Sequence, residues 1–248
     1  MLIFTRFLLF FVFTSVFLSC KKTRDITANE FVEASINAHG MEDFNKKVVE
    51  FVFRKHRYTQ NKDLEGVIFT RRKIMAPGTI DFLHSKNGFR RTFKDKLVVI
   101  PDSLSFVYKE ALNSVLYFFR LPYVLKDKGV IKTLMKIEKI KGVTYQKIKV
   151  SFTEEDGGVD HQDNFLYWFN KKTKTLDYLA YRYHINNGGI RFRVAINKRT
   201  IDGVIFQDYE NYSGPKNTRL DELPKLYSKG ELELISMIEN NSIRILNP

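Results

Sequence analysis

One cysteine, Cys20, in 248 residues excludes an intrachain disulfide framework, because a bridge needs two thiols. It also excludes cysteine-nucleophile chemistry anywhere beyond that position. Equally missing are a GxSxG serine elbow, an HExxH zinc motif, a glycine-rich phosphate loop and an EF-hand pattern. No internal repeat, linker or shift in composition divides the chain. Acidic residues are short relative to basic ones, 28 against 41, which leaves a formal charge of +13. Glycine and proline are modest at 13 and 6, whereas aromatics are plentiful, with 22 Phe and 12 Tyr. Aromatic and β-branched side chains suit a half-buried pleated surface, so this mix favours strands. Hydrophobic residues at 44% and charged residues at 28% predict a packed core rather than disorder.

The N-terminus carries the longest apolar run. Arg6 precedes a mainly apolar stretch from Phe7 to Leu18, broken by Thr14 and Ser15, and Ser19 and Cys20 follow. A basic start, a short apolar segment and a small residue before the cut describe an export signal. The run falls short of the roughly 20 apolar residues that a membrane span needs. The small-residue-then-cysteine ending resembles the lipobox of bacterial lipoproteins, with Phe17 and Leu18 bulkier than usual there. That resemblance implies a signal peptide over 1–19 and a lipidated Cys20, with residues 20–27 as a polar tether. The alternatives are an ordinary signal peptide, or an N-terminal anchor, in which the cysteine is incidental. For an exported chain, a basic surface points to anionic lipid headgroups or acidic glycans, not to nucleic acid. The basic clusters, Arg71 to Lys73, Arg90 with Arg91, and Lys171 to Lys174, are dispersed and read as solvated faces.

Thr27 and Glu30 have capping-box spacing, which opens a helix over 28–38, and Gly40 suits its C′ position. Strand signals follow at 48–54, 67–74 and 79–84, and Asn87-Gly88 reads as a type I′ hairpin turn. One long helix is expected over 103–119, capped by Asp102. Its apolar stripe runs through Leu104, Val107, Leu112, Val115 and Phe119 and must lie on a sheet. Strand-like segments resume at TLMKIEKI, VTYQKIKVSF, NFLYWFN, TLDYLAYRYHI, IRFRVAIN and VIFQDYENY. The NNGG turn at 186–189 would pair Ile185 with Ile190. That register places Tyr181, Tyr183, Phe192 and Val194 on one apolar face and Arg182, His184, Arg191 and Arg193 on a cationic reverse. About ten strands should curl rather than stay flat. The expected fold is mainly β (α+β): a curved antiparallel sheet forming a half-open β-barrel, with the helix as lid or plug. Residues 28–248 read as one domain.

Several landmarks resemble an uncharacterised family of Bacteroidota lipoproteins, a domain of unknown function. They are His39-Gly40, DHQD at 160–163, YLAY at 178–181, RFR at 191–193, Asn197 with Arg199, and DYENY at 208–212. That family is similar in architecture to the LolA/LolB lipoprotein carriers, in which a half-barrel with a helical lid shelters acyl chains. The resemblance implies a LolA-like fold and an apolar ligand, and carries over no catalytic residue.

The residues expected to meet such a ligand are Leu112, Val115 and Phe119 from the helix. From the strands they are Phe165, Tyr167, Tyr181, Tyr183, Phe192 and Phe206; the bland alternative is that these aromatics simply fill a core. Asp160, His161 and Asp163 form the most enzyme-like stretch, a polar site or merely a loop-ordering one. Nothing in the spacing nominates further metal ligands, so no metal and no cofactor are expected. The functional expectation is a lipid-anchored periplasmic binding protein holding an acyl chain or other apolar ligand. Its partners would be the membrane, through Cys20, and a lipoprotein or another envelope protein. Lys21 and Lys22, with neither an Asp directly after the cysteine nor an acidic cluster there, favour the outer membrane facing the periplasm. A hydrolytic or metal-dependent enzyme, or a structural lipoprotein without ligand, are the alternatives.

Overall fold

A computed structural model of the chain describes residues 26–76, 78–153, 164–184 and 188–246. Cys20, the expected signal peptide over 1–19 and the Asp160, His161 and Asp163 stretch lie outside the described residues.

Helix α1 (Ala28–Ala38) begins with the expected capping box: Thr27 accepts from the Glu30 amide while the Glu30 carboxylate accepts from the Thr27 amide. Its apolar side, Phe31, Val32 and Ile36, is buried. The chain then builds an antiparallel meander of β1 (Val48–Phe53), β2 (His56–Lys62), β3 (Val67–Lys73), β4 (Thr79–His84), β5 (Gly88–Phe93) and β6 (Lys96–Leu97). The Asn87-Gly88 turn differs from the type I′ expectation. His84 pairs with Gly88 across a three-residue loop, and only Gly88 adopts positive φ, at 75°. The His84 ring accepts the Lys86 and Asn87 amides at 3.0 Å each, holding the loop without a left-handed Asn87.

Helix α2 (Asp102–Phe119) crosses this sheet. Pro101, not Asp102, occupies its N-cap and makes no side-chain cap; Asp102 is the first helical residue, where its charge suits the helix dipole. The stripe is buried only in its C-terminal half, through Leu112, Leu116 and Phe119. Leu104 and Val107 remain exposed, because the sheet passes beneath only part of the helix.

A second antiparallel sheet contains β7 (Val130–Leu134), β9 (Val143–Phe152), β10 (Asn164–Asn170), β11 (Leu176–Tyr183), β12 (Gly189–Ile201), β13 (Val204–Ser213) and β14 (Glu233–Ile238), in that spatial order, with β8 (Glu138–Ile140) beside β9. Helix α3 (Leu223–Lys229) lies on its outer face. A last strand, β15 (Asn240–Leu246), pairs with β1. The single residue Glu239 therefore separates a strand of one sheet from a strand of the other. Fifteen strands appear among the described residues, more than sequence patterning revealed. The missed strands β2, HRYTQNK, and β15, NNSIRIL, are too polar to alternate clearly.

One core joins both sheets. Phe51, Tyr58 and Phe69 from the first meet Ile148, Phe165, Tyr167, Phe169 and Phe206 from the second, with α1 and the C-terminal half of α2 between them. Phe119 stacks on Phe51 with ring centroids 3.6 Å apart and on Phe206 at 5.4 Å. The fold is thus mainly β, two antiparallel sheets around one core, with the C-terminal half of α2 plugging it.

The register of β11 against β12 corrects the face assignment. Tyr181 opposes Arg191 and Tyr183 opposes Gly189, where the NNGG argument placed Phe192 opposite Tyr183. The offset is odd, and an odd slip exchanges the faces. Tyr181 and Tyr183 consequently share a face with Arg191 and Arg193. Ile190, Phe192 and Val194 turn to the reverse face, into a separate cluster under Leu223 and Tyr227. The cationic clusters also need correction. Arg71 and Arg91 are not solvated; both clamp the buried Asp81, at 2.7 and 2.6 Å, with side chains only 10% and 17% exposed.

Candidate functional site

Strands β14 and β15 part at the Glu239 corner, each into its own sheet, and α2 lies over the opening. A cavity of about 230 Å³ remains there. Its walls come from Phe53 and Arg54 at the end of β1, Ser114, Val115, Phe118 and Phe119 on α2, and Arg193, Tyr209 and Asn211 on the second sheet. Ser236, Ile238 and Asn240 close it at the corner. Among the described residues two arginines, Arg54 and Arg193, line this space and no carboxylate does.

The corner itself is organised by Asp208. Its carboxylate accepts from Arg199 Nη1 and Nη2 at 3.1 Å each and from the Asn240 amide at 2.9 Å. Arg199 Nη2 also donates to the Asn240 carbonyl. Asn197 sits at the bulge in β12 with φ of 48°, its amide 3.4 Å from Asp208. The bulge lets Arg199 reach an acid that is not its direct cross-strand neighbour. Asn197, Arg199 and Asp208 therefore pin the chain where it leaves one sheet for the other.

Arg193 is the unexpected component. Its side chain enters the protein interior, and the residue is 8% exposed. Nη2 donates to the Tyr181 hydroxyl at 2.8 Å, and the guanidinium carbon lies 3.6 Å from the Phe118 ring centroid. Nε is buried without a partner, as is Asn211 Oδ1 directly across the strand pair. Tyr209 is buried nearby; desolvation pushes its hydroxyl up to about 12, so it is a neutral phenol that accepts from Gln207 at 2.7 Å.

The sequence-predicted ligand residues divide into groups. Val115 and Phe119 line the cavity, and Tyr181 reaches it through Arg193. Leu112, Tyr167 and Phe206 are packed in the shared core, and Phe165 stacks on Tyr181 at 5.3 Å. Tyr183 covers Gly189 and accepts from Arg191 Nη2 at 2.7 Å. Phe192 is on the other side of the sheet. Arg193, Asn211, Phe53 and Ser114 were not among the expected residues. Only the strand register could have exposed Arg193, because residue 193 faces the cavity or solvent according to one odd step. Among the described residues no group of three His, Cys, Asp or Glu is placed to hold a metal ion. No described helix is long and apolar enough to cross a membrane.

Two packed antiparallel sheets with a helix plugging their opening define a LolA-like half-barrel. The chain belongs to the family of unknown function DUF6503, whose model matches residues 5–240. Among solved structures it is similar to a LolA superfamily protein from Nitrosomonas europaea, at 10% identity over 90% of this chain and 96% of that one, with a TM-score of 0.51. It also resembles a DUF1329 family protein from Desulfovibrio piger, at 10% identity over 89% of this chain and 94% of that one, with a TM-score of 0.48. No curated protein matches the sequence.

Proposed function

We infer that the protein is a lipid-anchored envelope protein whose half-barrel holds an acyl chain or a similar apolar ligand. The cavity between α2 and the Glu239 corner is the observation that carries this reading, since Val115, Phe118, Phe119 and Ile238 give it apolar walls. Small-molecule sites combine apolar walls with polar groups that fix orientation, and here the apolar side chains share the lining about equally with Arg54, Ser114, Arg193, Asn211, Ser236 and Asn240. The likeness to a LolA superfamily protein supports a carrier-like role at the level of the fold. Residues 28–248 act as one domain in this reading, and Cys20 tethers it to the periplasmic face of the outer membrane. A lipoprotein or another envelope protein would receive or deliver the cargo.

Native mass spectrometry of the Cys20→Ala protein from the periplasm tests the binding claim. Discrete adducts of lipid mass are expected, and Ser114→Trp should abolish them. Ser114 is exposed at the cavity wall, so a bulky ring there blocks the space without disturbing the core. A bare protein mass, with no uptake from lipid vesicles, overturns the reading in favour of a structural lipoprotein.

A further inference from the structure

The cavity has the wrong polarity for a purely hydrocarbon cargo. Arg193 stands in its wall with no ion-pair partner among the described residues. Arg57, Arg71, Arg91, Arg199, Arg219 and Arg244 reach a carboxylate, whereas Arg120, Arg182 and Arg191, like Arg193, bond neutral acceptors; of these four only Arg193 lines the cavity. A guanidinium offers five N–H donors, and among the described residues only Nη2 of Arg193 reaches a protein acceptor. Burying a charge without an opposite charge is unfavourable unless something else completes it. The Phe118 ring offsets part of that penalty by facing the cation, but it supplies no acceptor for the remaining donors. Nε is sealed off without a partner. Nη1 has no protein partner among the described residues and is the donor left for a ligand.

The surroundings agree with that vacancy of charge. Tyr181 accepts from Arg193, which leaves its own hydroxyl proton to donate onward. Asn211, directly opposite Arg193, bonds Ser236 through Nδ2 at 3.0 Å and has a buried, unpartnered Oδ1. Arg54 adds a second cation to the cavity lining, from the exposed turn after β1. Among the described residues no Asp or Glu lines the cavity to compete.

We propose that the cavity binds a single-chain anionic amphiphile, with its oxyanion on Arg193 and its chain against Val115, Phe118 and Phe119. The proposal rests on the ligand-binding reading of the same cavity. The stated volume, about 230 Å³, lies below the roughly 300–1,000 Å³ of drug-sized pockets, which favours one chain over two. A carboxylate and a phosphate monoester both match the guanidinium fork, so a free fatty acid and a lysophospholipid-type headgroup share the required chemistry.

The test is calorimetric titration of the Cys20→Ala protein with dodecanoate, dodecyl phosphate and dodecanol at pH 8, below their micellar concentrations. One or both anions should bind at least about tenfold more tightly than the alcohol, the equivalent of ~1.4 kcal/mol. Preference for dodecanoate identifies the fatty-acid form, and preference for dodecyl phosphate the phosphate form; either supports the proposal. Arg193→Met should erase the preference while leaving dodecanol binding in place. The comparison of ligands on the unsubstituted cavity needs no variant to fold. Equal affinity for all three overturns the role of Arg193 but leaves the cavity as an apolar site. Failure of all three to bind overturns the proposal together with the ligand-binding reading.

Discussion

His39 is fully buried at the end of α1, and its Nδ1–H donates to the Ser35 carbonyl at 2.9 Å while Nε2 has no partner. Burial holds its pKa below the ordinary histidine value, with Lys198 pushing the same way and Asp177 opposing. The unfolded chain therefore binds a proton as pH falls through about 6.5, whereas the folded chain resists. This contribution to stability is fully present above that pH and is lost as pH falls toward the folded value. Thermal midpoints should drop between pH 7.5 and 5.5, and His39→Gln should flatten the slope. His56 is depressed too, chiefly by burial, so part of the slope should remain. A slope unaffected by the substitution would remove His39 from the account. The adjacent Gly40 offers a sharper contrast. It adopts φ of +66°, and a Cβ there would sit 2.0 Å from the Gly203 carbonyl oxygen. Gly203 has φ of +78° with nothing within 4 Å of its would-be Cβ. Gly203→Ala should cost only the left-handed penalty, about 1 kcal/mol. Gly40→Ala should cost more than twice that, because backbone has to move; denaturant titration distinguishes them.

At the scale of elements, α2 is held by chemistry of two kinds. Its C-terminal half is anchored by the Phe51–Phe119–Phe206 stack, and its middle by an ionic clamp on the first sheet. Asp81, 3% exposed, accepts from Arg71 and Arg91; Arg91 lies 3.6 Å from the Tyr108 ring centroid, and Arg71 Nη2 is 3.4 Å from the Tyr108 carbonyl. Asp81→Ala leaves two partly buried cations unpaired and should destabilise the protein by roughly 3–5 kcal/mol. Combining Asp81→Leu with Arg71→Met and Arg91→Met should recover much of that loss. Failure of the combined variant to recover would mean that the clamp also sets the position of the helix. Of this element, the stripe was legible in sequence, and so was the helix itself. Its partial burial was not, because periodicity reports an apolar side and says nothing about how far a sheet extends beneath it.

At the scale of the molecule, the Glu239 corner decides the architecture. Asp208, Arg199 and Asn240 hold β14 in one sheet and β15 in the other, and α2 spans the opening between them. Asp208→Ala should therefore loosen the corner and weaken ligand binding together, which native mass spectrometry and hydrogen exchange at β15 would register. The sequence by itself determined the strand-rich class, the capped first helix, the plugging helix and the aromatic content of the core. These are local or compositional properties, set by propensity, capping and periodicity. Tertiary structure alone decided the register of β11 against β12, and so which of Phe192 and Arg193 faces inward. It also decided the pairing of a polar C-terminal strand with β1, which no local pattern announces. Both depend on contacts between residues distant along the chain. A side chain's face in a sheet follows from the parity of its pairing, so a basic residue assigned to the reverse of the aromatic face became the charged wall of a cavity.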